Sequence, residues 1–204
     1  MVIELTHPVS SEALTLLRDA QTATSVFRAT TNRVATLVLA ECLRAIPTRP
    51  VDVQTPLAMT LGVVFAGGVV VIPILRAGLA FIPALDLLCP SARIVHVGLA
   101  RDEVTAEASW YLNKISDLHG CTVFILDPML ATGGSVRQVI DACFVAGAAQ
   151  VVVGCVLAAP EGLRVISEAF PDVTIVCGVI DTHLDEKSYI VPGLGDFGDR
   201  WSGT

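Results

Sequence analysis

The stretch 123–135 contains the residues with the clearest chemistry. It reads Val-Phe-Ile-Leu-Asp-Pro-Met-Leu-Ala-Thr-Gly-Gly-Ser, an apolar run followed by hydroxyl and glycine residues. Gly133 and Gly134 can adopt positive φ and bring backbone N–H groups close to an anion, and a helix starting there adds partial positive charge. Thr132 and Ser135 supply hydroxyl donors, and Ser135 is a candidate helix N-cap. The pattern predicts a phosphate-binding turn between a strand and a helix, although an ordinary capped turn has the same composition.

Asp127 favours the phosphate-binding interpretation. It follows the apolar run directly, at the strand end where open α/β sheets bind ligands, and Pro128 favours an extended conformation there. A carboxylate that caps the next turn is the structural alternative. The loop contains no lysine, so a Walker-type triphosphate site does not fit.

The composition limits the classes of function. The chain has 204 residues, of which 53% are hydrophobic and 16% charged, and its formal net charge is −7. An acidic chain with scattered basic residues is a poor nucleic-acid binder. Its eleven arginines, against two lysines, suit bidentate phosphate contacts where two or three of them converge. The low charged fraction predicts apolar surface hidden between subunits, so we expect a homo-oligomer, either a dimer or a tetramer.

Neither a metal site nor a membrane segment is predicted. The six cysteines show no C-x-x-C spacing and lie mainly in apolar runs, so we interpret them as reduced packing residues, and the four histidines lack metal-ligand spacing. The apolar stretch 61–75 is too short to span a bilayer and is broken by glycine and proline. Because the first residues lack a basic region followed by an apolar one, we expect a cytoplasmic enzyme.

The hydrophobic pattern predicts the elements that must position these residues. Helical spacing defines an α-helical lead-in at 11–20 and 25–46. Short Val/Ile-rich runs then alternate with helix-length segments. The predicted strands are 69–74, 93–99, 122–126, 151–157 and 173–179, and the predicted crossover helices are 77–88, 135–146 and 161–170. This alternation is typical of a mainly parallel sheet flanked by helices, so we predict one α/β domain over residues 1–204. The polar segment 101–110 is predicted to be a surface loop or flap.

The irregular C-terminal tail, residues 188–204, has a second chemical signature. Its glycines and Pro192 are interleaved with apolar and charged side chains, so the tail can fold back and pack rather than fray. Glycine frees backbone N–H and C=O groups for close contact with a flat ligand. Such a surface suits a base with alternating donors and acceptors.

Three motifs together resemble the uracil phosphoribosyltransferase family. They are Pro-Ile-Leu-Arg-Ala-Gly at 73–78, Asp-Pro-Met-Leu-Ala-Thr-Gly-Gly-Ser at 127–135, and Tyr-Ile-Val-Pro-Gly-Leu-Gly-Asp-Phe-Gly-Asp-Arg-Trp-Ser-Gly-Thr at 189–204. They occur in the family's order, and weaker similarity includes Phe27-Arg28 and Ala-Ala-Pro-Glu-Gly at 158–162. The resemblance implies the type I phosphoribosyltransferase fold, with the tail as a base-binding hood. It also implies conversion of uracil and 5-phosphoribosyl 1-diphosphate (PRPP) to UMP and diphosphate in pyrimidine salvage, with Mg²⁺ as cofactor.

The resemblance implies roles for individual residues. The turn 131–135 would bind the 5′-phosphate, Asp127 would lie near the ribose hydroxyls, and Arg76 and Arg101 would hold the diphosphate. The implied PRPP-binding residues are Arg76, Arg101, Asp127, Pro128, Met129, Leu130, Ala131, Thr132, Gly133, Gly134, Ser135 and Asp196. The implied catalytic residues are Arg101, Asp127 and Asp196. The implied uracil-binding residues are Ile190, Gly195, Asp196 and Phe197, and no residue is assigned as a direct magnesium ligand, although Asp196 would face the donor and its metal.

The chain departs from the family pattern at two places. Phe197 stands where alanine is usual, and Ala-Arg-Asp-Glu at 100–103 stands where Tyr-Arg-Asn-Glu is typical. If only the backbone of Phe197 touches uracil the contact survives, whereas an inward-pointing ring would crowd the base. Asp102 places a negative charge beside the arginine proposed for diphosphate.

Three functions remain open at this point. The leading hypothesis is an active uracil phosphoribosyltransferase, for which GTP, an activator of some family members, is a candidate effector. The second is a PRPP- or nucleotide-sensing regulatory protein on the same fold with weak or no catalysis. The third is transfer to another base such as a purine, and an enzyme of that kind should lack the uracil-type tail.

Overall fold

The computed structural model of the protein describes residues 1–101 and 108–204, with only the backbone described at 101 and 108. The helices are α1 Pro8–Arg18, α2 Thr24–Cys42, α3 Ile82–Leu88, α4 Gly134–Val145, α5 Pro160–Ala169 and α6 Phe197–Ser202, with 3₁₀ turns at Leu43–Ala45 and Ala77–Phe81. The strands are β1 Val2–Glu4, β2 Thr48–Gln54, β3 Met59–Phe65, β4 Gly68–Leu75, β5 Arg93–Ile94, β6 Val97–Arg101, β7 Ala108–Asn113, β8 Cys121–Leu126, β9 Met129–Leu130, β10 Gln150–Ala158, β11 Thr174–Ile180, β12 His183–Leu184 and β13 Ile190–Val191.

A mainly parallel sheet organises the fold. Within the described residues nine strands join it, in the main order β1-β11-β10-β8-β4-β6-β7, with β5 on β4 and β9 on β10. Every pair is parallel except β6–β7. Parallel strands present their carboxyl ends at one edge, so the segments that follow β4, β8 and β10 meet there.

Both faces of the sheet are covered, as the continuous apolar runs predict. Alternate residues of β8 point to opposite sides. Phe124 and Leu126 join the core formed with α1, α2 and α3, whereas Val123 and Ile125 join the core formed with α4 and α5. The predicted α/β architecture with a helical lead-in is therefore confirmed.

The predicted strands and helices overlap those of the structure, with one break in a strand. The run 93–99 is two short strands, β5 and β6, separated at 95–96. The segment 77–88 begins as the 3₁₀ turn Ala77–Phe81 before α3. In the described ranges no helix is long and apolar enough to cross a membrane.

Two regions differ from the prediction. The antiparallel hairpin β2–β3 was not predicted, and its apolar residues are exposed rather than part of the core. The segment 101–110, predicted as a loop or flap, is strand at both ends, since β6 ends at Arg101 and pairs antiparallel with β7 from Ala108. The centre of that proposed flap, including Asp102 and Glu103, lies outside the described residues.

Candidate active site

The turn between β8 and α4 forms a small concavity. Its volume is about 60 Å³, and it is lined by Asp127, Met129, Leu130, Ala131, Thr132, Gly133, Gly134, Ser135 and Val136. The structure thus brings together residues 131–135, predicted for the 5′-phosphate, and the other residues of 127–135 predicted for PRPP, with the exception of Pro128. Pro128 is buried, and its carbonyl accepts from the N–H groups of Val156 and Leu157, both at 2.9 Å, which anchors the turn to β10.

The helix after this turn begins at a glycine. Gly133 is the N-cap of α4 with φ +81° and offers no side-chain cap, while Thr132 Oγ1 accepts from the Gly134 N–H at 3.5 Å. The prediction of Ser135 as N-cap is therefore wrong, because the chain enters the helix through a left-handed residue that glycine adopts without strain. The first-turn N–H groups of a helix have no intrahelical acceptor, so α4 presents donors to this concavity.

Helix α5 supports the phosphate turn from behind. A Cβ on Gly162 would collide with the Ala131 carbonyl oxygen and lie 3.1 Å from that of Leu130, and one on Gly133 would lie 3.1 Å from the Gly162 carbonyl. The backbones of the turn and the helix can approach this closely only because both positions are glycine. The motif at 158–162 therefore has a defined packing role.

A larger cavity lies beside the turn, at the ends of β4 and β6. Its volume is about 440 Å³, and it is lined by Leu75, Arg76, Ala77, Leu99, Ala100, Tyr111, Asp127, Met129, Asp196, Phe197 and Gly198. Arg76 is exposed there, and it follows a cis peptide bond from Leu75. The cavity places one cation and two carboxylates around the same space. The side chain of Arg101, assigned to diphosphate and catalysis, is outside the described part of the chain.

The third concavity is formed by the C-terminal tail. It measures about 180 Å³ and is lined by Met129, Ala131, Ser188, Tyr189, Ile190, Gly195, Asp196 and Phe197. All four residues predicted for uracil are in this set. Met129 lines all three concavities, so the three adjoin one another and form one extended site.

Phe197 contributes little of its side chain to this site. The residue is only 2% exposed, and its ring packs edge-on against Phe27 of α2 with centroids 5.5 Å apart. Arg200 lies over the Phe27 ring, with its guanidinium carbon 4.5 Å from the centroid. Because the ring is in the core, it is mainly the backbone of Phe197 that faces the cavity.

Asp196 has a structural contact as well as a position in the site. It is the N-cap of α6, and its Oδ1 accepts from the Asp199 N–H at 2.9 Å. The side chain remains exposed and lines two of the concavities. The cap leaves the second carboxylate oxygen for a ligand.

The donor set fits a magnesium ion that is bound mainly through its substrate. Among the described residues no group of three or more His, Cys, Asp or Glu side chains could hold a metal alone. Mg²⁺ is commonly bound by one or two carboxylates together with substrate phosphates. Asp127 and Asp196 line the same cavity and match that requirement.

Glu161 joins α5 to the tail. Its Oε1 accepts from the Leu184 N–H of β12 at 3.0 Å, and this bond lowers the pKa of the carboxyl below its ordinary value. Its Oε2 is buried with no hydrogen-bond partner in the described part of the chain. Leu184 pairs with Ile190 of β13. Glu161 therefore links the helix behind the phosphate turn to the strand that carries a proposed uracil contact.

Sequence reasoning missed several residues that build the site. Tyr111 of β7 lines the large cavity, and its hydroxyl lies 3.4 Å from the Leu75 carbonyl, but no spacing pattern marks it. Glu161 lies in a motif that was noticed without a role. Asp181 comes directly after β11, so the rule that ligands bind at strand ends could have drawn attention to it.

The architecture is the type I phosphoribosyltransferase fold. A hypoxanthine-guanine phosphoribosyltransferase from Bacillus anthracis superposes with a TM-score of 0.53 over 75% of this chain and 78% of that chain, at 14% identity, which shows the fold alone. The AQ2163 protein from Aquifex aeolicus superposes with a TM-score of 0.93 over 98% of this chain and 97% of that chain, at 35% identity.

Sequence comparison gives the family. The family profile for uracil phosphoribosyltransferase matches residues 4–204. A protein named uracil phosphoribosyltransferase from Paenarthrobacter aurescens is 46% identical over 97% of this chain and 96% of its own length. One of the same name from Streptococcus pyogenes serotype M5 is 42% identical over 98% of this chain and 97% of its own length. The chain belongs to the uracil phosphoribosyltransferase family.

Proposed function

We propose that the protein transfers the ribose 5-phosphate group of PRPP to uracil and releases diphosphate, forming UMP for pyrimidine salvage. The observation that carries this proposal is the extended site joined by Met129, with a phosphate-type turn at one end and a glycine-lined pocket at the other. We further propose that residues 1–204 act as one phosphoribosyltransferase domain in the cytoplasm.

The large cavity suits the departure of diphosphate from C1′. That step builds negative charge on the leaving group and positive charge on the ribose ring, so it needs cations at one end and carboxylates at the other. Arg76, with Arg101 as a second cation, holds the diphosphate, and Asp127 accepts hydrogen bonds from the ribose hydroxyls. Phosphoribosyltransferases generally use Mg²⁺ with PRPP. Asp196, beside Asp127, would hold the ion together with the substrate phosphates, and the ion would supply positive charge for the leaving group.

The tail pocket orients the base. Backbone groups of Ile190, Gly195 and Phe197 bind the uracil edge, while the turn 131–135 holds the 5′-phosphate. With both ends of the reactants fixed, positioning supplies much of the acceleration, since well-oriented intramolecular reactions gain roughly 7–11 kcal/mol. Uracil N1 loses its proton late, after positive charge has developed at C1′, so the site needs no strong general base.

A steady-state assay tests the proposal. The protein is incubated with Mg²⁺, PRPP and one of uracil, cytosine, hypoxanthine or orotate. Uracil is expected to be the only one of these bases that is converted to its nucleotide. Folded protein that binds PRPP but forms no UMP would support the sensing alternative, which the family comparison does not favour. Adding GTP to the same assay tests it as an activator, with a raised kcat/KM for uracil as the expected sign.

A paired substitution tests the proposed role of Asp127. Asp127→Asn is expected to raise the KM for PRPP more than the KM for uracil, because the weaker amide acceptor replaces a carboxylate at the ribose. Asp141→Asn is the matched control, since Asp141 is an exposed carboxylate on α4 that lines none of the three concavities in the described residues. Equal donor kinetics for both variants would reject the role.

We also propose that the β2–β3 hairpin joins two copies of the chain. Alternate residues of β3 form an apolar row on one face of the hairpin. Their exposed fractions are 60% for Met59, 74% for Leu61, 72% for Val63 and 46% for Phe65. Soluble monomers rarely leave so contiguous an apolar row in water, and a second copy of the same row is a self-complementary partner.

Sedimentation measures this assembly. The wild type is expected to sediment as a dimer or tetramer at micromolar concentration, and the double substitution Leu61→Asp with Val63→Asp is expected to lower the mass. Thr60→Asp places one negative charge on the opposite face of β3 and serves as the control. A monomeric wild type would contradict the proposal, and so would a double variant of unchanged mass.

A further inference from the structure

One glycine of the tail is held by both of its backbone groups. Asp181 Oδ2 accepts from the Gly193 N–H at 2.9 Å, and Arg18 Nη1 donates to the Gly193 carbonyl at 2.8 Å. Arg18 and Asp181 also bind each other through two N–H···O contacts of 3.0 and 2.5 Å. Gly193 has φ +62°, so the ion pair is hydrogen-bonded to a residue whose conformation only glycine adopts easily.

The pair lies at a junction of three elements. Arg18 is the last residue of α1, Asp181 follows β11, and Gly193 begins the segment that leads to the base-binding Gly195. The Asp181 side chain is only 3% exposed and that of Arg18 is 27% exposed. A pair this buried seldom stabilises a fold more than apolar packing would. Its geometry instead defines the path of the backbone at one residue.

The neighbouring carbonyl is held in the same way. Arg200 Nη1 donates to the Leu194 carbonyl at 2.7 Å, and Arg200 Nη2 donates to the Asp19 carbonyl at 2.6 Å. Two successive carbonyls of the tail are thus tied to the end of α1 by arginines. Neither Arg18 nor Asp181 is among the described residues that line the three concavities, so any effect of the pair on a ligand passes through the backbone of 193–195.

We propose that the Arg18–Asp181 pair is a positioning device that holds the segment 193–195 in its uracil-binding conformation. The inference rests on the proposed function. The pair should therefore affect the affinity for the base. The affinity for PRPP should depend on the phosphate turn and the cavity beside it.

Kinetics with both substrates separate this role from a merely structural one. Asp181→Asn keeps the size of the side chain but replaces one carboxylate oxygen with a group that cannot accept a hydrogen bond. We expect the KM for uracil to rise about tenfold, equivalent to about 1.4 kcal/mol, while the KM for PRPP stays within about twofold of the wild type. Glu12→Gln is the matched control, because the Glu12–Arg33 pair is as short, at 2.5 Å, but 57% and 41% exposed. It should change neither KM.

The remaining outcomes decide between explanations. All variants are assayed below their melting temperatures. If Asp181→Asn does not fold, Arg18→Lys replaces it in the test, because lysine keeps the charge but loses the bidentate fork. The KM for uracil and the KM for PRPP are then compared in the same way. An unchanged KM for uracil, or equal rises in both KM values, would overturn the positioning role while leaving the proposed reaction intact. Absence of UMP formation by the wild type would instead overturn the proposed reaction itself.

Discussion

Replacing Phe197 with alanine tests whether its ring belongs to the core or to the base pocket. In the structure the ring is 2% exposed and packs against Phe27. The backbone there is held separately, because Asp196 caps α6 and residue 197 is the first of that helix. The substitution should therefore remove core packing without moving the backbone that faces the cavity.

The expected loss of stability follows from burial. Truncating a buried phenylalanine to alanine costs roughly 3–5 kcal/mol, of which the edge-on ring pair accounts for about 0.5–1.5 kcal/mol. For a chain of 204 residues, each kcal/mol lowers the melting temperature by about 2–4 °C. The combined expectation is a fall of roughly 6–20 °C. The KM for uracil should change by less than about threefold, or about 0.65 kcal/mol.

Thermal unfolding at fixed protein concentration and steady-state kinetics measure the two quantities. Phe144→Ala is the control, since Phe144 also contacts another ring, that of Phe170 at 6.1 Å, but is 42% exposed. Its cost should be near 1 kcal/mol, roughly the value of a partly exposed aromatic contact. If Phe197→Ala left the melting temperature nearly unchanged and altered the KM for uracil, the ring would belong to the pocket, and the reasoning from burial would be refuted.

Three further outcomes are expected. Gly162→Ala should raise the KM for PRPP by about tenfold or more, because its Cβ collides with the Ala131 carbonyl and displaces the phosphate turn; an unchanged KM would show that the turn tolerates the shift. Since the pKa of Glu161 is lowered from its ordinary value of 4.5 in the folded state, its ionised form stabilises the fold above that pH. The melting-temperature difference between wild type and Glu161→Gln should therefore shrink as pH falls below 4.5. A difference independent of pH would exclude ionisation as its source. Burial raises the pKa of Cys143 to about 12, so Ellman's reagent at pH near 8 should modify only the partly exposed Cys121 in native protein and all six thiols after denaturation; rapid modification of several native thiols would contradict the described burial.

The parallel core could be predicted because its signal is local. The strands β8 and β10 are buried on both faces, so each reads as an uninterrupted apolar run bounded by turns. The hairpin β2–β3 could not be predicted by the same rule. Its apolar row is as hydrophobic as a core strand, but nothing in the described chain covers it. Because these side chains stay exposed, the rule that reads core strands from buried apolar runs does not apply to the hairpin.

The site likewise has features that a local sequence pattern predicts and features that it does not. The phosphate turn could be predicted because a strand, a glycine turn and a helix follow one another within a few residues. The wrong N-cap, Ser135, shows the limit of that reasoning, since helix entry depends on the left-handed conformation of Gly133. The Arg18–Asp181 contact joins residues 163 positions apart. Such a contact depends on the packed arrangement of α1, β11 and the tail, which no local spacing reports.

The helical lead-in holds the irregular tail in place through its backbone carbonyls. A segment with little regular secondary structure leaves many carbonyls without strand or helix partners, and these need other donors. Arginines supply them: Arg28 of α2 donates to the Trp201 and Ser202 carbonyls, and Arg18 of α1 donates to that of Gly193. In the opposite direction, Arg200 of the tail donates to the Leu17 carbonyl at the end of α1. Because each guanidinium presents several donors in a rigid plane, the tail is held from behind while the backbone around Gly195 lines the pocket.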